Sequence, residues 1–291
     1  MNTKRLIIYL AIVFGLTYLF EFLVITPMAT EKGYGNDPAV MGLIAVVMFL
    51  PAISVVITQL ITKEGFKNPM IKPNFKGNWK YYVAAWFGPQ ILCVIGAAVY
   101  FLIFPDRFDP SHSYIHQLYA DKGVKMTPEM MNMTIISQYA MAFFLGPLLN
   151  SFACFGEEWG WRGYMMPKMM EKIKFLPAVL IGGLIWGLWH APLIALGHNY
   201  GTDYAGAPWS GIAMMSLFCI VLGCIFTYLS NKTGSVWPAV IGHGAINGFA
   251  AAPLYFIADN THTLLGPSST GLIGMSALII VAIIICIKQR N

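Results

Sequence analysis

The feature that most constrains this chain is a succession of apolar runs, each long enough to cross a hydrocarbon core of about 30 Å. They cover about eight segments: 6–28, 39–62, 81–104, 133–155, 175–196, 211–229, 236–257 and 270–287. In lipid every backbone N–H and C=O must be satisfied within the protein, so runs of this length are read as helices. The expected fold is therefore all-α: a polytopic membrane protein of about eight transmembrane helices around a polar intramembrane cavity, forming one membrane domain over 1–291. Composition agrees, because 11% of the 291 residues are charged where a soluble domain carries roughly 25%. Lys4 and Arg5 before the first run look like the start of a signal peptide. The run is long and lacks a small-x-small cleavage site, so it is read as a retained helix.

The basic residues set an orientation. With the N-terminus in the cytoplasm, 14 of the 18 Lys and Arg fall on inner segments, from Lys4 and Arg5 through Lys63–Lys80 and Arg162–Lys174 to Lys232, Lys288 and Arg290. Lys32, Arg107, Lys122 and Lys125 remain outside. Both termini of this integral cell-membrane protein are thus expected to be cytoplasmic. The net charge of +5 is spread along short loops, which speaks against a nucleic-acid partner. The five cysteines lie in or beside apolar runs with no CxxC spacing and are read as small buried hydrophobes. His112 and His116 stand four apart in the long outer connection, a pair without a third ligand and so a poor metal site.

Charged groups at bilayer depth are costly and face a cavity or a partner. Three polar clusters stand out on that ground: Glu157-Glu158-x-x-x-Arg162, Trp186-x-x-x-His190 and His243-x-x-x-Asn247. Four-residue spacing puts Glu158 beside Arg162 on one helical face, where a carboxylate N-terminal to a cation pairs well, and leaves Glu157 free. It also sets Trp186 against the turn carrying His190 and places His243 and Asn247 on one wall. For Glu157 to meet the two histidines, the fourth helix must run on through Trp159, Trp161 and Tyr164. Glu21, Gln59, Gln90, Gln138 and Asn150, also within apolar runs, are read as hydrogen-bond partners between helices. The glycine pairs Gly183/Gly187 and Gly244/Gly248 are read as close helix contacts.

A carboxylate with a neighbouring imidazole can act as general base on water, and an imidazole with an amide can donate to an oxyanion. That assigns Glu157 and His190 to water activation and His243 with Asn247 to the oxyanion. The reaction so defined is hydrolysis of an acyl bond, most naturally a peptide, without a covalent intermediate and without a cofactor.

The three motifs, in this order on the later helices, resemble those of the CPBP family. These are intramembrane glutamic endopeptidases that include the CaaX prenyl endopeptidases and the bacterial abortive-infection or bacteriocin self-immunity proteins. The resemblance implies that Glu157 and His190 activate the water, that His243 and Asn247 form the oxyanion hole, and that Glu158 and Arg162 support the site. It also implies a cavity open to the cytosol and a peptide or protein partner, lipidated or not, met within membrane lipid. The second motif often begins with phenylalanine in that family, and here it begins with Trp186. Two alternatives stay open on the residues alone. One is a zinc hydrolase with Glu157, His190 and His243 as ligands. The other is a non-catalytic membrane protein whose polar cavity binds or conducts a solute or serves as an immunity scaffold.

Overall fold

The computed structural model describes residues 2–35, 37–121, 123–259 and 261–289; Lys122 and Arg290, which entered the orientation argument, lie outside them. The architecture is helical throughout, with one isolated antiparallel bridge between Phe108 and Ile257 among the described residues. Among the described residues, five helices are long and apolar enough to cross a membrane: α1 (Asn2–Lys32), α2 (Pro38–Ile61), α3 (Trp79–Ile103), α4 (Pro128–Leu149) and α7 (Trp209–Thr233). Between and after them come α5 (Ser151–Glu158), α6 (Phe175–Trp189), α8 (Trp237–Phe249) and α9 (Ser276–Lys288). With these long apolar helices, the chain is an integral membrane protein.

Several of the apolar runs are broken where the sequence carries proline. The run over 175–196 forms α6, bends at His190, and resumes as a short helix, Ala191–Ala195, with Pro192 in its first turn. Proline lacks the N–H that would continue the ladder, so a new helical start is where it fits. The run over 236–257 likewise becomes α8 and then a 3₁₀ turn, Ala252–Phe256, with Pro253 at its start. In α2 the helix is interrupted at Met48 and Phe49, just before Pro51. The run over 133–155 ends α4 at Leu149 and restarts beyond Asn150. The helical path then does continue, through a π-helical stretch, Trp159–Met165, into a last turn, Met166–Met170.

Helix seams are built on glycine. A Cβ on Gly183 would lie 2.4 Å from Ile220 Cα, and one on Gly187 2.3 Å from Ser216 Cα, so α6 lies backbone to backbone along α7. Gly156 approaches the break in α2 in the same way, with Met48 O 2.4 Å from where its Cβ would be. Gly244 faces Pro147 O and Gly248 faces Gly146, which seats α8 on the junction of α4 and α5.

The isolated polar residues divide. Gln90 Nε2 donates to Trp86 O at 2.7 Å and across to Phe143 O at 3.1 Å, and Asn150 Nδ2 reaches Gly244 O at 3.3 Å, so both join helices. Gln59 instead pairs with Asn68 in the loop after α2, and Gln138 is exposed. Glu21 departs from expectation. It is fully buried and neither carboxylate oxygen has a partner among the described residues, where a π-helical turn, Glu21–Ile25, interrupts α1.

Polar contacts tie the loops into two opposite ends. At the first, Lys168 Nζ and Tyr164 Oη meet Glu64 at 2.6 and 2.7 Å, and Asn74 Nδ2 donates to Gly234 O. Burial opposes ionisation of Glu64, but the hydrogen bonds from Lys168 and Tyr164 outweigh it and hold the carboxyl below its ordinary range. At the second, Arg107 pairs with Asp259, His112 Nδ1 donates to Tyr255 O at 2.8 Å, and Tyr34 Oη meets His198 Nδ1 at 2.7 Å. His112 is thus committed to a loop carbonyl.

Candidate active site

The carboxylate pair sits where α5 runs into the π-helical stretch. Glu157 and Glu158 are 2% and 0% exposed, because Gly156 lets this turn press against α2. Glu158 Oε1 accepts from Arg162 Nη1 at 3.0 Å, the four-residue pair anticipated from spacing. The same oxygen meets His243 Nδ1 at 2.8 Å, so one carboxylate ties the π-helical stretch to α8. The Arg162 guanidinium also lies over the Trp186 ring, 4.0 Å from its centroid, an arrangement that favours the cation through the ring's negative face.

Glu157 is not free. Its Oε2 accepts from Trp186 Nε1 at 2.7 Å. Trp186 also stands between the carboxylate and the imidazole. Its indole holds Glu157, and its backbone carbonyl lies 2.8 Å from His190 Nδ1. No direct hydrogen bond joins Glu157 to His190 among the described residues. Because a carbonyl can only accept, His190 Nδ1 carries a proton, and in the neutral ring Nε2 keeps its lone pair. The ring is walled by Trp189, 4.8 Å away edge-on. His243 is set by the same logic: Nδ1–H points at the Glu158 carboxylate, and Phe226 stacks on the ring at 5.9 Å.

Glu157, Trp186, His190, His243 and Asn247 all line one cavity of about 550 Å³. Asn247 is exposed to it, with Nδ2 3.6 Å from Cys154 Sγ, a weak contact that leaves the amide available. The Glu158–His243 bond, the Phe226 stack and the Cys154 contact join residues far apart in the chain, and no spacing within one helix announces them. The Glu157–Trp186 bond could have been suspected, since an indole N–H at a position that the motif leaves merely aromatic is an extra donor. Among the described residues, no three His, Cys, Asp or Glu side chains gather as a metal-binding group; Glu157, His190 and His243 form no such set.

The rest of the wall has a direction. Beyond apolar Leu193, Met215 and Phe218, the cavity reaches His198, Asn199, Ala251 and Thr270, which belong to loops of the second end. None of the lining residues belongs to the loops of the end held by Glu64 and Lys168. The cavity therefore lies toward the second end, away from the lysine-rich one.

The fold and site thus define an all-helical integral membrane protein with carboxylate, imidazole and amide groups on one intramembrane cavity. Residues 138–249 match the family model described as type II CAAX prenyl endopeptidase Rce1-like. CAAX prenyl protease 2 of Methanococcus maripaludis is 32% identical over 93 residues, 31% of this chain and 34% of that protein. Uncharacterized protein YyaK of Bacillus subtilis is 26% identical over 245 residues, 81% of this chain and 70% of that protein. The match thus spans about a third of the length of the archaeal relative. Residues 138–249, which carry all three motifs, are thus similar in sequence to the type II CAAX prenyl endopeptidases.

Proposed function

We propose that this protein is a membrane-embedded endopeptidase of the glutamic type, acting on a peptide or protein substrate, lipidated or not, within membrane lipid. The observation that carries the reading is the single cavity shared by Glu157, His190, His243 and Asn247. A water between Glu157 Oε1 and His190 Nε2 would face two acceptors and no competing donor, the arrangement that general-base catalysis needs. Glu157 takes one proton from that water, and the hydroxide oxygen bonds to the scissile carbonyl carbon. Asn247 Nδ2 donates to the oxyanion. His243 can add a donor from Nε2 as an imidazolium, with Glu158 as its counter-charge. When the C–N bond breaks, the proton held by Glu157 passes to the leaving amine. Arg162 and Trp186 hold Glu158 and Glu157 in place.

The distribution of Lys and Arg supports a cytoplasmic first end. The substrate then reaches the cavity from the opposite face. The test is incubation of the reconstituted protein with peptide and prenyl-peptide libraries, read by mass spectrometry, beside the Glu157→Gln variant. New termini made by the parent and absent from the variant are expected. Equal product from both would overturn the reading.

A further inference from the structure

Three places outside the catalytic residues hold unexplained chemistry: the buried Glu21 carboxylate, the adjoining thiols of Cys224 and Cys286, 3.4 Å apart, and the His198 wall of the cavity. The last is the one whose geometry points at a ligand. His198 lies in the turn after Ala191–Ala195, and its Nδ1 meets Tyr34 Oη at 2.7 Å. The Tyr34 hydroxyl has no other partner among the described residues, so its proton goes to that nitrogen. Burial, and after it the Glu21 carboxylate, push the Tyr34 phenol up, which keeps the hydroxyl protonated. Burial also pulls the His198 imidazole down to about 4, so the ring is neutral at physiological pH. A neutral ring that accepts at Nδ1 carries its hydrogen on Nε2. That N–H has no acceptor among the described residues, and the ring lines the cavity.

We propose that His198 is a substrate-reading residue: from the loop wall of the cavity its Nε2–H donates to an uncharged acceptor, a backbone carbonyl of an apolar peptide running along the cavity. The acceptor is uncharged because, among the described residues, no Lys or Arg lines the cavity, while Glu157 does; a carboxylate there would lack a counter-ion. The chain is apolar because Leu193, Met215, Phe218, Leu222 and Ile246 form the wall beside it. Tyr34 is a positioning residue that fixes the tautomer. This inference rests on the peptidase reading for its substrate, but its test does not need turnover.

Trp186 and Trp189 line the same cavity, so quenching of tryptophan fluorescence can report binding. The detergent-solubilised Glu157→Gln protein is titrated with a capped apolar hexapeptide and with analogues in which one amide at a time is replaced by an (E)-alkene. At one position the alkene should weaken binding about tenfold, the worth of one hydrogen bond. With His198→Phe added, the parent peptide should bind about tenfold more weakly and the alkene at that position should cost nothing further. Tyr34→Phe should weaken the same position partially. In protein with Glu157 intact, His198→Phe should raise KM and leave kcat unchanged. Equal binding of every analogue by both proteins, tighter binding of the free-acid peptide than of the amide, or no binding at all would overturn the proposal. Binding that follows these rules without any cleavage by the Glu157 protein would instead overturn the peptidase reading alone.

Discussion

At the scale of single residues, the account depends on which hydrogen bond each polar atom makes. Trp186 is the informative case, because its indole holds Glu157 Oε2 and its carbonyl holds His190 Nδ1. Trp186→Phe keeps an aromatic shelf under Arg162 and deletes one charge-assisted hydrogen bond. A fall in kcat of about tenfold is expected, with thermal stability nearly unchanged, from steady-state kinetics and a melting curve in detergent. Activity within twofold of the parent would mean that the indole does not position the carboxylate. Glu158→Gln should do more harm, since it leaves Arg162 and His243 without their shared counter-charge; breaking a buried pair of this kind costs about 3–5 kcal/mol. The Glu158–Arg162 pair was legible in the sequence because i,i+4 spacing survives within one helical path. The Glu158–His243 pair was not, because only the packing of α8 against α5 makes it.

Among elements, proline and glycine did most of the visible work. The bends at His190 and after Phe249 follow from Pro192 and Pro253. The seam between α6 and α7 follows from Gly183 and Gly187, and Gly187→Leu should destabilise the protein by about 1–3 kcal/mol or prevent its folding, because Ser216 Cα already stands 2.3 Å from the added Cβ. A melting temperature equal to the parent's would contradict that seam. Proline and glycine do not foretell the π-helical turns: Glu21–Ile25 contains neither, while Trp159–Met165 contains Gly160 and Gly163. Each of these two sits where an ionisable side chain is buried, while a third, Met141–Leu145, holds none; π-turns gather at functional positions, yet periodicity alone reads straight through them. The run over 236–257 is longer than its helix because apolar composition continues past Phe249, while α8 stops there ahead of Pro253.

For the whole molecule, the two ends differ in charge and in access. Sequence alone separated the basic loops from the rest, but not the end toward which a cavity formed by several helices lies, since its loop walls, over 197–201, 250–254 and 268–270, are brought together only by the fold. With termini in the cytoplasm, Ala251→Cys, exposed on the cavity wall, should react with a membrane-impermeant maleimide in intact cells. Lys72→Cys should react only after permeabilisation, and the reverse pattern would invert the orientation. The turn over 109–113 has its own pH dependence. Burial works against the Asp109 charge, but hydrogen bonds from the Ser111 and Ser113 hydroxyls and amides outweigh it and hold the carboxyl at about 2. A depressed folded value stabilises above the unfolded value of about 4 and is lost as pH falls toward 2. Amide exchange over Ser113–Asp121, corrected for intrinsic rate, should therefore lose protection across that window. Unchanged protection at pH 2 would refute the role of the Asp109 carboxylate in holding this segment.

The most direct test of the central claim is single-turnover cleavage of one peptide, identified from the library, by the parent and by Glu157→Gln at saturating enzyme. Loss of the general base predicts a rate lower by about 10²–10⁴ with the peptide still bound. Cleavage by Glu157→Gln at the parent's rate would contradict it.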